Sequence, residues 1–210
     1  MKETRYFYVP DACSQQELPE EEALHAIKVL RLSEGDEMFL MDGCGTFYRA
    51  TVSLVSKRHC MYAIADTLPQ DKAWRGRIHL AIAPTKMMER MEWLAEKATE
   101  IGFDELSFLN CKFSERHQIR VDRIDKIVVA ATKQSRKPWK SQVNDIQNFA
   151  DFIRQPRQGY KYIAHCYNEI ERTDFLNDLQ ALPADEHVTV LVGPEGDFSI
   201  DEVRLAIENG

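Results

Sequence analysis

No stretch of this chain reaches 18 consecutive apolar residues, so the sequence predicts no membrane-spanning helix. The N-terminal MKETRYFYVP lacks the apolar run of a secretory signal. Cysteine is sparse. Its five residues (13, 44, 60, 111 and 166) are odd in number and include no C-x-x-C, which argues against a zinc site and against a disulfide framework. These features lead us to expect a protein of the reducing cytoplasm. The six histidines lack metal-ligand spacing, and no metal is expected. Neither G-x-x-x-x-G-K-[ST] nor G-x-G-x-x-G occurs, which removes the two common glycine-rich phosphate cradles. There is no G-x-S-x-G and no legible Ser-His-Asp order, and no repeat or low-complexity tract.

What the chain does have is a core and a divided charge. It is 210 residues long and 44% hydrophobic, enough for one large domain or two small ones. Its net charge of −7 argues against a simple polyanion binder. Yet residues 112–140 carry nine Lys/Arg against three Asp/Glu, a local +6, so the remainder sums to −13. Residues 165–210 hold eleven acids against Arg172 and Arg204. Such asymmetry marks either a polyanion-binding face or a solvated helix surface.

The patterning changes near residue 70. Before it, RYFYV (5–9), DEMFLMD (36–42), TFYRATVSLV (46–55) and HCMYAIAD (59–66) read as strands, with Gly43-Cys44-Gly45 as a hairpin turn. One helix is expected over 19–32, with Pro19 at its start. One helix among short strands points to a small barrel over residues 1–70, and 71–76 reads as a linker. From 77 to 210, strands at 77–84, 105–110, 160–166 and 187–193 alternate with helices near 86–101 and 123–135 and from Ile200 onward. This is an α/β domain with a mostly parallel sheet.

The strand HVTVLV breaks into Gly193-Pro194-Glu195-Gly196 and restarts at Ser199-x-x-Glu202, a capping box, with Phe198 and Val203 as a hydrophobic staple. A strand end followed by a helix start is where α/β sheets place ligands. Glu195 and Asp197 make the loop unsuited to phosphate, so a neutral or cationic ligand with hydroxyls or an amine fits better. The plainer reading is a tight turn whose acids favour a helix N-terminus. Elsewhere, His25, Lys28 and Arg31 recur every three residues along the first helix. Ser114, Arg116 and Arg120 share a basic loop after a strand, chemistry that suits a phosphate backbone. KQSRKPW (133–139) closes a helix. Cations there suit the helix C-terminus, which explains Lys133 and Arg136 but not Gln134 or Trp139.

Three stretches in order, HAIKVLRLSEGD, EKATEIGFDELSFLNCKFSER…KQSRKPW and LVGPEGDFSIDEV, resemble the small-subunit ribosomal RNA uridine N3-methyltransferases of the SPOUT, or α/β-knot, superfamily. The resemblance runs from about residue 5 to 210. It implies a PUA-like β-barrel ahead of a trefoil-knotted α/β domain, S-adenosylmethionine as methyl donor, a homodimer, and small-subunit ribosomal RNA as partner. Carried over, it places Val192, Gly193, Pro194, Glu195 and Gly196 in one cofactor loop and Ala164, His165 and Cys166 in a second wall. Ser114, Arg116, Gln134 and Arg136 fall toward the RNA. The catalytic base is not identified; Glu195 is the one candidate.

Two departures accompany the resemblance. Asp197 stands where the family usually has a second glycine. The chain also stops at LAIENG, where members continue with a strand, a loop and a helix that threads the knot, so the expectation is an incomplete knot and weak cofactor binding. The alternatives are a non-catalytic RNA-binding protein that retains the fold, and a methyltransferase acting on another ribosomal or transfer RNA nucleotide.

Overall fold

A computed structural model describes residues 5–210. The chain forms two compact units. The first joins the described residues up to Lys72 with Val129–Lys140; the second comprises Ala73–Val128 and Ser141–Gly210. Residues 129–140, assigned to the α/β part on sequence, therefore complete the N-terminal unit instead.

In the first unit, β1 (Tyr6–Tyr8), β2 (Glu37–Met41), β3 (Thr46–Val55) and β4 (Cys60–Pro69) form a sheet in the order β1-β2-β3-β4. The β1–β2 pair is parallel and the other two are antiparallel. Alternation along β3 turns Tyr48, Ala50 and Val52 into a core with Phe7, Met38, Leu40 and Tyr62. The expected helix over 19–32 is shorter. α1 (Glu20–Leu24) passes into a π-helical turn over His25–Val29, and Arg31 ends it with φ 52°. With Leu30 N–H bonded to the His25 carbonyl, the turn follows i→i+5 spacing. Residues three apart no longer stack on one face, although His25, Lys28 and Arg31 are all exposed.

The Val129–Lys140 segment seals the β2–β3 hairpin. Gly45 N–H donates to the Pro138 carbonyl at 2.9 Å, and Lys140 N–H donates to the Gly43 carbonyl at 2.9 Å. A Cβ on Gly45, whose φ is 102°, would lie 2.3 Å from the Trp139 ring, so glycine is required both for the turn and for the close approach. This explains Trp139, and the Lys72 ammonium lies over the same ring at 5.2 Å.

The second unit is an all-parallel sheet in the order β7-β6-β5-β9-β8. Its strands are β5 (Arg77–Ile82), β6 (Glu105–Asn110), β7 (Gln142–Asn148), β8 (Tyr160–Ala164) and β9 (His187–Val192). Helices cover both faces. α2 (Met88–Ile101) and the start of α3 (Val121–Gln134) pack with Phe103, Leu106 and Phe108 on one side. On the other, α4 (Phe149–Arg154) and α6 (Ile200–Glu208) pack with Ala81, Leu109, Leu191 and Phe198. Both faces are buried, which is why β5 and β9 read as near-continuous apolar runs. α5 (Phe175–Ala181) links β8 to β9. β7, QVNDIQN, was not expected. It is a polar edge strand whose pairing slips at Leu106/Phe108, so Val143 and Ile146 fall three apart instead of two. Among the described residues no helix is long and apolar enough to cross a membrane.

Candidate functional site

The loops after β5, β6, β8 and β9 leave the same, C-terminal, edge of the parallel sheet, and the acidic stretch 195–202 binds the other three. Glu195 Oε1 accepts the Lys86 N–H at 2.8 Å, reaching the loop after β5. Asp197 Oδ2 accepts the Cys166 N–H at 2.8 Å, reaching the loop after β8. Glu202 Oε1 accepts the Lys112 N–H at 2.8 Å, reaching the loop after β6. Each carboxylate thus satisfies a backbone donor that its own segment does not supply. This gives a structural role to three of the eleven acids in residues 165–210.

The loop itself is built from its sequence. The Asp197 N–H closes a turn onto the Pro194 carbonyl at 3.0 Å. Asp197 is left-handed, with φ 66°, a conformation in which Asp is tolerated better than most residues. Its Oδ1 accepts the Phe198 N–H at 2.7 Å. A Cβ on Gly193 would meet the Phe198 nitrogen at 3.0 Å, so the chain folds back closely on itself at this glycine. Ser199 then caps α6. Its hydroxyl accepts the Glu202 N–H at 3.4 Å and Glu202 Oε2 accepts the Ser199 N–H at 2.8 Å, while Phe198 and Val203 are both fully buried.

The residues expected in the site divide as follows. Ala164 ends β8, His165 and Cys166 follow it in the loop, and the three meet the Pro194–Asp197 turn through the Cys166–Asp197 bond. The Tyr167 hydroxyl, which donates to the Phe198 carbonyl at 2.8 Å, gives a second link. Val192, Glu195 and Gly196 are exposed and Pro194 is buried. A cavity of about 420 Å³ along β8 takes in Ala164 and His165 together with Tyr162, Arg172 and Phe175, but none of residues 192–196. His165 Nδ1 is buried and has no hydrogen-bond partner.

Glu195 is the weak catalytic candidate. The backbone hydrogen bond from Lys86 holds its carboxyl below the usual carboxylate range, the opposite of what a proton acceptor working near neutrality needs. Ser114 is buried in a turn, its hydroxyl accepting the Cys111 N–H at 2.9 Å. Arg116 donates to the carbonyls of Thr85 at 3.0 Å and Lys86 at 2.5 Å, so it grips the loop after β5 opposite Glu195. Arg120 is exposed just ahead of α3. His25, Lys28, Arg31, Gln134 and Arg136 lie in the first unit and are exposed there. Arg136 is the left-handed stop of α3, with φ 53°; the Lys137 N–H returns to the Thr132 carbonyl in a Schellman pattern, and the guanidinium lies 5.3 Å from the Tyr6 ring centre. Among the described residues no group of three or more His, Cys, Asp or Glu is placed to hold a metal ion.

In the sequence Glu202 reads only as a cap, and Asp197 as an acid unsuited to phosphate and as a departure from the family's glycine. That they and Glu195 bind three other loops is not legible there, because those bonds span 90, 31 and 109 residues. The one usable signal was three acids beside a strand end with no cation among them.

Comparison with known proteins supplies the family. A model described as an RNA methyltransferase domain matches residues 72–210, and one described as an RNA methyltransferase PUA domain matches residues 18–60. Ribosomal RNA small subunit methyltransferase E of Rickettsia conorii is 24% identical over 91% of this chain and 77% of its own length; that of Aquifex aeolicus is 28% identical over 86% and 77%. Among solved structures, a probable rRNA-methyltransferase from Porphyromonas gingivalis is 36% identical, with a TM-score of 0.90 over 98% of this chain and 86% of that one. A putative methyltransferase from Legionella pneumophila, in complex with the bound cofactor SAM, is 26% identical, with a TM-score of 0.84 over 99% and 87%. With its two matched segments in this order, the chain belongs to the RNA methyltransferase family whose members carry a PUA domain.

Proposed function

We propose that this chain methylates N3 of a uridine in small-subunit ribosomal RNA with S-adenosylmethionine as donor. The observation that carries the reading is the binding of the loops after β5, β6 and β8 to the acidic stretch after β9. The names of the relatives and the bound SAM of the Legionella structure support it. The residues present fit the cofactor. It carries hydroxyls, an amine and a sulfonium but no phosphate, and the turn offers backbone groups and carboxylates without a cation. The buried, unpartnered Nδ1 of His165 adds one free polar atom beside Ala164. On this reading Val192–Gly196 form one wall and Ala164–Cys166 the other.

Bound there, the cofactor supplies an electrophilic methyl group on sulfur. The chain's own work is then positioning and charge. The pinned loops fix the walls before anything binds, so orientation is not gained at the expense of ordering them. Uridine N3 is nucleophilic only after losing its proton, and a cation near the base stabilises the resulting anion. Arg116, which grips the loop after β5 whose Lys86 N–H also meets Glu195, is assigned to this role. His25, Lys28, Arg31, Arg120, Gln134 and Arg136 are assigned to RNA phosphates, with the first unit as a PUA-like barrel and the second as a SPOUT-type domain. A homodimer is part of the same reading. Met87 and Trp93 on the α2 side are exposed, at 51% and 64%, and light scattering should give twice the monomer mass at micromolar concentration.

The test is calorimetric titration with S-adenosylmethionine, followed by transfer of labelled methyl to small-subunit ribosomal RNA and mapping of the modified base. Methyl at uridine N3 supports the proposal; methyl on another base, or binding without transfer, refutes it.

A further inference from the structure

The two walls must be held one against the other. Two side-chain bonds do so. The Tyr167 hydroxyl donates to the Phe198 carbonyl at 2.8 Å, and Asp197 Oδ2 accepts the Cys166 N–H at 2.8 Å. The second acts directly on the wall. The peptide joining His165 to Cys166 is trans and planar, so its N–H and C=O point in opposite directions. Fixing the Cys166 N–H on Asp197 therefore aims the His165 carbonyl away from the acidic turn and sets the orientation of an acceptor on the Ala164–Cys166 wall.

The geometry of Asp197 suits this use and little else. Both its oxygens are engaged, Oδ1 with the Phe198 N–H at 2.7 Å and Oδ2 with Cys166. Its backbone is left-handed, with φ 66°, and from it the carboxylate reaches the loop after β8. A glycine would relax that backbone but bind neither amide. The Oδ1 bond stays within its own turn, and the Oδ2 bond alone crosses to the loop after β8, so one carboxylate fixes the turn and aligns the two loops.

We infer that Asp197 is a positioning residue for the methyl donor: it locks the Ala164–Cys166 wall to the Gly193–Gly196 wall so that both stand in binding geometry before ligand arrives. This rests on the cofactor reading given above. It also distinguishes Asp197 from Glu195 and Glu202, whose bonds to Lys86 and Lys112 hold loops outside the two walls.

The experiment uses the full chain and the variants D197G and D197N. D197G keeps the left-handed turn accessible and removes both side-chain bonds, so the fold should be retained. Amide hydrogen exchange at Cys166 and Phe198 should accelerate at least about tenfold in D197G, while amides within β9 stay protected. Affinity for S-adenosylmethionine by calorimetry should fall about tenfold, the scale of one charge-assisted hydrogen bond, with kcat at saturating donor within about twofold. D197N keeps a single acceptor oxygen, can hold only one of the two amides, and should lie between. Unchanged Cys166 exchange in D197G, or unchanged donor affinity despite faster exchange, would overturn the positioning role alone. A wild-type chain that binds no donor would instead overturn the cofactor reading and take the role with it.

Discussion

Glu195 Oε1 and the Lys86 backbone nitrogen lie 2.8 Å apart although 109 residues separate them in sequence. The bond makes Glu195 part of the scaffold, and its lowered pKa leaves it ionised throughout the neutral range. Glu195→Gln, which keeps an oxygen for Lys86, should reduce methyl transfer less than about tenfold and leave its pH profile in place. A general base removed would cost about 100-fold or more and flatten the rising limb. Rate measurements from pH 5.5 to 9 decide between these.

The helix stop at Arg136 separates RNA affinity from stability. Its φ of 53° is unfavourable for an L-residue, so Arg136→Gly should leave the chain as stable as wild type or up to about 1 kcal/mol more stable in urea. The same change removes one exposed cation. The slope of log affinity for ribosomal RNA against log salt should become shallower by about one. An unchanged slope across a salt series would show that Arg136 contacts no phosphate.

Gly45→Ala should be among the most damaging single changes in the first unit. The new methyl would sit 2.3 Å from the Trp139 ring at a φ of 102°. Displacing that ring breaks the seal on the hairpin, and about 2–3 kcal/mol should be lost. A red shift in tryptophan emission before the main urea transition would report it.

Much of this fold was legible in the sequence. The apolar run of β5, the β-branched run of β9 and the S-x-x-E start of α6 each carry their structure in local chemistry. β7 was not legible, because a polar edge strand with a pairing slip shows neither alternation nor an apolar run. The π-helical turn at His25–Val29 was hidden too, since its composition is that of an ordinary helix. In the candidate site the loop's position could be read, but the work of its acids could not. A carboxylate that binds a distant backbone amide leaves no spacing to find.

A pH dependence of stability should follow from His79. It is 6% exposed, and its Nε2 lies 2.8 Å from Ser107 Oγ. Burial pushes its pKa down to about 4, against the pull of the Glu105 carboxylate and with help from the nearby Arg157 and Arg77 guanidinium groups. The folded value is below the unfolded one, so the unfolded chain binds the extra proton. The stability due to neutral His79 is complete above about pH 6.5 and is lost as pH falls toward 4, by about 2 kcal/mol. Urea melts at pH 7 and pH 4.5, on wild type and His79→Gln, should show a smaller acid loss in the variant.

The membership of Val129–Lys140 in the first unit bears on how the protein is made. Lys133 supplies the ammonium that meets Glu22, a nearly buried carboxylate, at 2.6 Å, and Trp139 covers Gly45. On a ribosome, the strands up to Lys72 emerge with that acid unpaired and that turn uncovered, and they must wait for Lys140 before closing. By then β5, α2 and β6 have also been synthesised. The N-terminal unit, first in translation order, therefore finishes folding only after the second unit has begun, and a fragment cut at residue 72 should be recovered as an unfolded chain.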